Sequence, residues 1–208
     1  MSDNYLHEEF YNGKTIVILS DEYAQCNPRD DEGNLGVMIC FHNHHNLGDQ
    51  HDYAPCNFNG WEGLRFYLES KMKACIIHPL WVFEHGDILI QIGEYTGPDA
   101  RWDAGQVGYI YTTKERIRNN WNIKRVTPEY MKRADDLLHA EVELYSAYLQ
   151  GDVVGYQIKD EDEVVDSCWG YLGCFDQCLQ DAKDAIDYFN TPHPPPKPRP
   201  SRKLTIPT

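Results

Sequence analysis

Basic residues are scarce in this 208-residue sequence: 19 Lys and Arg stand against 33 Asp and Glu, a net charge of −14. No window approaches the roughly 18 consecutive apolar residues of a membrane span, so no membrane contact is expected. The seven cysteines (Cys26, Cys40, Cys56, Cys75, Cys168, Cys174, Cys178) include no Cys-x-x-Cys pair. Their odd number, in a chain large enough to need no staples, points to reduced thiols in a cytoplasm. The opening MSDNYLHEEFYNG has neither a basic cluster nor an apolar run, so no secretory signal is expected. A phosphate-cradling glycine loop and a His-Glu-x-x-His helix are also missing, and no cofactor is expected.

What the sequence does have is a concentrated negative charge. Residues 191–208 contribute Lys197, Arg199, Arg202 and Lys203 and no acid, so residues 1–190 hold 15 basic and 33 acidic residues, a net −18. Such a body repels phosphate backbones, which argues against direct nucleic-acid binding, and attracts basic proteins. The same charge also serves solubility. With 41% hydrophobic and 12% aromatic residues the chain folds rather than remaining disordered. One α+β domain over 1–190 is expected, followed by a disordered, proline-rich, basic tail over 191–208.

KTIVILS (14–20), GVMICF (36–41), CIIHPLWVF (75–83) and DILIQI (87–92) read as strands, with Glu84, His85 and Gly86 as a hairpin turn between the last two. WEGLRFYLESKMKA places Leu64, Tyr67, Leu68 and Met72 at helical spacing. A longer helix runs from Pro128 to Leu149, with Thr127 as its cap and Ala134, Leu137, Leu138, Val142, Tyr145 and Leu149 as one stripe; Gly151 suits its end. DVVGYQI and EVVDSCWGY form a hairpin around KDED, and a last helix over 175–188 turns Cys178, Ala182, Ala185 and Ile186 to one side. This hairpin-rich order predicts a mainly antiparallel sheet packed against the long helix and one or two further helices.

The stretch FHNHHNLGDQHDY, residues 41–53, holds four histidines. If the preceding strand continues to 44, His42 and His44 share a face, and Asp49, His51 or Asp52 could complete a tetrahedral zinc site. A polar turn built on Asn46, Gly48 and Asp49 is the competing and preferred reading, so no metal site is assigned. His78, Glu84 and His85 form a weaker second ligand group, with His78 expected to satisfy a core hydrogen bond.

Two motifs read as pocket walls. In RWDAGQVGYIYTTKERI, Gly105 and Gly108 allow close backbone approach, while Trp102, Asp103 and Gln106 bring a ring and hydrogen-bonding groups together. In DSCWGYLG, Asp166, Ser167 and Trp169 precede Gly170. Large rings capping a core beneath a bend would give the same pattern. Ser167 and Cys168 have no assignable base.

GNLG (33–36), NLGD (46–49), WDAGQVGYIY (102–111), EVELYSAYLQGDVVGYQI (141–158) and DSCWGY (166–171) together resemble a family of small proteins encoded by bacteriophages and related mobile elements, over roughly residues 21–171. That family usually has Asp-Ser-Gly-Gln where this chain has Asp103, Ala104, Gly105 and Gln106, and keeps a histidine at His42 but not at 44 and 45. The resemblance implies a phage accessory protein in the bacterial cytoplasm, acting on host machinery or defence. It supplies no mechanism.

Two functions follow as expectations. The first is a non-enzymatic inhibitor or adaptor that binds a host or defence protein through acids at Asp135, Asp136, Glu141 and Glu143 on the long helix and Asp160, Glu161, Asp162 and Glu163 at the hairpin tip. The second is a binder of a nucleotide-like small ligand, or a hydrolase, whose pocket gathers His42, Asp49, Trp102, Asp103, Gln106, Asp166 and Trp169.

Overall fold

A computed structural model of the protein describes residues 4–21, 27–97 and 103–191. The proline-rich tail from residue 192 onward, Cys26 and Trp102 lie outside the described residues. Eight strands among the described residues form two four-stranded antiparallel sheets. The first, in the order β1-β2-β7-β8, contains β1 (Tyr5–Tyr11), β2 (Lys14–Ser20), β7 (Val153–Asp160) and β8 (Glu163–Leu172). The second, in the order β3-β6-β4-β5, contains β3 (Val37–Cys40), β4 (Ala74–His85), β5 (Asp87–Ile92) and β6 (Ala104–Thr113). Among the described residues four α-helices complete the α+β body: α1 (Gly60–Ser70), α2 (Lys114–Trp121), α3 (Pro128–Leu149) and α4 (Phe175–Asn190). None is long and apolar enough to cross a membrane.

The second sheet is covered on both faces, and the alternation of its strands shows how. Met38, Cys40, Leu80 and Ile110 point toward α3 and meet Ala134, Leu138, Val142 and Tyr145. Their neighbours Ile39, Tyr109 and Tyr111 point the other way, onto Leu64 and Leu68 of α1. A strand buried on both sides loses the polar alternation by which a half-exposed strand is recognised. For this reason β6, from Val107 to Thr112 entirely buried, reads in the sequence as a motif rather than as an interior strand of the sheet. It runs straight into α2, whose cap Thr113 accepts a hydrogen bond from the Arg116 N–H at 3.2 Å.

The first sheet packs its core face on α4. Ile16, Ile18, Val154, Tyr156 and Ile158 pack on Cys178, Ala182 and Ile186 of α4. Polar contacts fix the helix at the β1–β2 turn: Tyr11 Oη donates to Asp187 at 3.0 Å, and Asn12 Nδ2 donates to the same carboxylate at 2.7 Å. β1 lies in a segment from which no strand was expected.

Several local expectations shift. Glu84 and His85 are paired strand residues, opposite Ile88 and Asp87, which leaves Gly86, at φ +90°, alone at the hairpin tip. Thr127 occupies the cap position of α3 without a side-chain capping bond, and Pro128 opens the helix. Gly151, at φ +67°, closes it. β3 ends at Cys40, so His42 and His44 are not extended strand residues.

Candidate functional site

The histidine-rich turn closes on itself. Backbone N–H groups of His44 and His45 converge on His42 Nδ1 at 3.3 and 3.2 Å, so Nδ1 is the acceptor nitrogen and the neutral ring carries its proton on Nε2. That nitrogen lies 3.7 Å from Glu84 Oε2, while His45 Nε2 bonds the other oxygen of Glu84 at 2.8 Å. Burial holds His42 below its ordinary pKa, reinforced by His45 and His44, with Glu84 working in the opposite direction. Glu84 itself is held down, first by the hydrogen bond from His45.

Beside this turn opens a polar cleft of about 390 Å³, lined by His42, Glu84, Asp103, Gln106 and their neighbours in the turn after β3 and on β4 and β6. His85 Nδ1 meets Asp103 Oδ2 at 3.1 Å across its rim, and Gln106 Nε2 donates to the Gly108 carbonyl at 3.3 Å. Three of the seven expected pocket residues, His42, Asp103 and Gln106, therefore converge. Glu84 and His85 belong with them, although the sequence reading placed both in a turn and grouped them with His78.

The remaining expected pocket residues are elsewhere or undescribed. Asp49 is turned inward, taking Arg29 Nε at 2.8 Å, Arg29 Nη2 at 3.0 Å and the Met38 N–H at 3.0 Å. His51 Nε2 sits 3.0 Å from the Cys40 carbonyl oxygen. The zinc set proposed around His42 is thus divided among different partners. Asp166 and Trp169 are on β8, in the other sheet; Asp166 is opposite Ile158 on the α4 side. Trp169 lies against Gly155, where an added Cβ would collide with the indole ring. Cys40, buried and near Asp49, has its thiol pushed up to about 12, which removes it as a nucleophile.

The expected partner-binding acids divide into distinct groups. Glu141 is not displayed at all: only 8% exposed, it accepts Arg29 Nη1 at 3.0 Å and the Leu35 and Gly36 N–H groups at 2.6 and 3.1 Å. Asp135 is hydrogen-bonded to His78 Nε2 at 2.6 Å. Asp136 and Glu143 are exposed on α3, but so are Lys132 and Arg133. At the β7–β8 tip Asp160, Glu161, Asp162 and Glu163 are all exposed, and Asp160 pairs with Lys14 at 2.7 Å. β7, about 23 Å long at ~3.3 Å per residue, separates this tip from the end of α3.

The acidic tip adjoins a sheet face that exposes apolar side chains on its two edge strands, with Thr15 and Lys159 between them. Register places Phe10, Thr15, Lys159 and Val164 in one row across all four strands of the first sheet, on the face opposite α4. Phe10 is 74% exposed, Val164 46% and its neighbour Val165 45%; Trp169, farther along β8, is 43% exposed. β1 and β8 are also the two edges of this sheet. Phe10 was missed because its strand was missed: glutamates on both faces, Glu8 and Glu9, leave no apolar–polar alternation in the sequence. No protein-family model, no curated protein and no solved structure matches the chain.

Proposed function

We propose that this protein is a non-enzymatic adaptor or inhibitor that docks on a basic protein surface through the face of its first sheet opposite α4. The observation that carries the reading is the row from Phe10 to Val164, which ends beside the four acids of the β7–β8 tip. Exposed aromatic and β-branched side chains supply the area that association buries, and Phe10 and Trp169 are natural anchors. Flanking charge of one sign steers a basic partner and rejects phosphate backbones. The resemblance to phage-encoded proteins favours a host or defence protein as that partner, among them proteins whose basic surfaces handle nucleic acids.

The test is capture from bacterial lysate by the full chain at low and high salt, followed by titration of the identified partner with purified variants. Phe10→Ser/Trp169→Ser should weaken binding at least about tenfold, as the loss of a contact worth roughly 1.4 kcal/mol or more. Neutralising residues 160–163 should weaken it at low salt and matter less at high salt. A partner indifferent to both changes, or no partner at either salt, would sink the reading.

The cleft at His42 supports a second reading, a small polar ligand held by His42, Asp103 and Gln106. Among the described residues no Lys or Arg lines it to receive a phosphate, which disfavours nucleotides. Thermal-shift screening of nucleotides against wild type and His42→Ala separates the two: ligand-induced stabilisation that the variant loses supports the cleft over the sheet face.

A further inference from the structure

We infer that His78, Asp135 and His139 form a binding site for a divalent transition metal ion of the Zn²⁺ class. The site is independent of the docking face and lies on the other sheet. Among the described residues this is the group of His, Cys, Asp and Glu side chains whose ligand atoms come together, all within 4.8 Å of one another. Asp135 and His139 are four residues apart on α3 and so project from one face of the helix, one above the other. His78 reaches them from β4, where its partner across the ladder is Ile110 of β6.

The scaffold is rigid on both sides. Ala134 and Leu138, which alternate with the two helical ligands, are fully buried against the sheet, so α3 cannot roll without opening the core. His78 Nε2 already lies 2.6 Å from Asp135 Oδ1, and the His78 and His139 rings are 5.0 Å apart between centroids at 60°. A tetrahedral zinc with bonds of about 2.0–2.1 Å holds its ligand atoms about 3.4 Å apart. Rotation of the exposed His139 side chain supplies the small closure that remains.

The donor chemistry selects the ion. Two imidazoles and one carboxylate suit Zn²⁺, Co²⁺ or Ni²⁺ and are a poor set for Ca²⁺ or Mg²⁺, which prefer all-oxygen shells. Three protein ligands leave a further position open. His139 also borders a groove of about 400 Å³ between β5 and α3, which gives room for a water or small anion there. The ligand set leaves the ion with a net +1, favourable in a body of charge −18.

The test is calorimetric titration of the full chain with Zn²⁺, with Co²⁺ absorption as a report on coordination. One equivalent should bind, and His139→Ala and Asp135→Asn should each weaken it at least about tenfold. His42→Ala/His45→Ala should leave it unchanged, which excludes the histidine-rich turn. His139 is exposed, so its replacement leaves the fold and the His78–Asp135 bond in place, and circular dichroism checks this. The His78 imidazole resonances should shift on Zn²⁺ addition to wild type. Absence of binding, or binding that persists in His139→Ala and disappears in His42→Ala/His45→Ala, overturns the site.

Discussion

Arg29 and Glu141 meet across 112 residues of sequence: guanidinium Nη1 donates to the carboxylate at 3.0 Å, with the two side chains 2% and 8% exposed. Asp49 takes the other edge of Arg29, and the peptide groups at Leu35 and Gly36 complete the set. Burial disfavours the Arg29 charge, but Asp49 and Glu141 outweigh that effect and leave its pKa above the ordinary value. The GNLG and NLGD turns are thereby tied to α3, and Tyr145 on the same helix accepts the Gly48 N–H at 3.0 Å. These motif residues hold loops to the core.

Removing Glu141 should therefore be costly. Glu141→Ala leaves Arg29 half paired and strands the Leu35 and Gly36 N–H groups, and should destabilise by about 3–5 kcal/mol in urea unfolding. Asp136→Asn, on the exposed side of the same helix, should change stability by no more than ~0.5 kcal/mol.

The two glycines of AGQVG should behave oppositely. A Cβ at Gly108 would strike the Ile39 carbonyl and the Cys40 backbone of β3, whereas nothing lies within 4 Å of one at Gly105. Gly108→Ala should cost about 3 kcal/mol, or prevent folding, because backbone cannot yield as a side chain does. Gly105→Ala should stay within ~0.5 kcal/mol in the same denaturation experiment.

His42 should titrate below 6.5 in an NMR pH series. Because Glu84 raises its pKa, Glu84→Gln should move the midpoint lower still. A folded-state pKa below the unfolded one means the unfolded chain binds more protons, so stability falls as pH drops from 6.5 through the folded value. Glu84 is also held down, and its contribution, present above 4.5, is lost as pH falls through its own folded value. An unshifted His42 midpoint would count against the turn geometry.

Phe10 and Ile16 lie on adjacent strands with opposite roles. Ile16→Ala, at a fully buried position against α4, should cost about 2–5 kcal/mol. Phe10→Ser, at a side chain 74% exposed, should change stability by less than ~0.5 kcal/mol. A large loss at Phe10 would mean that this ring serves the fold and not a partner.

Elements with strong local signals were legible in the sequence. The stripe from Ala134 to Leu149, opened by Pro128 and closed before Gly151, yields α3, and Cys178, Ala182 and Ile186 yield the buried side of α4. The hairpin order led to an antiparallel α+β fold. β6 was obscured because burial on both faces erases alternation, and β1 because charged or polar residues stand on both of its faces, His7 and Glu9 on one and Glu8 on the other.

Charge, composition and periodicity act through neighbours in sequence, so the chain alone determined its acidity, three of its four described helices (not α2) and most of its strands. Only the tertiary structure decided that the strands divide between two sheets, which sends Asp166 and Trp169 away from His42. It also decided that Glu141 is buried while Asp135 sits beside His78 and His139. Those outcomes depend on which surfaces the long-range packing of α3 and α4 brings together, and no local residue pattern encodes a distance across the core.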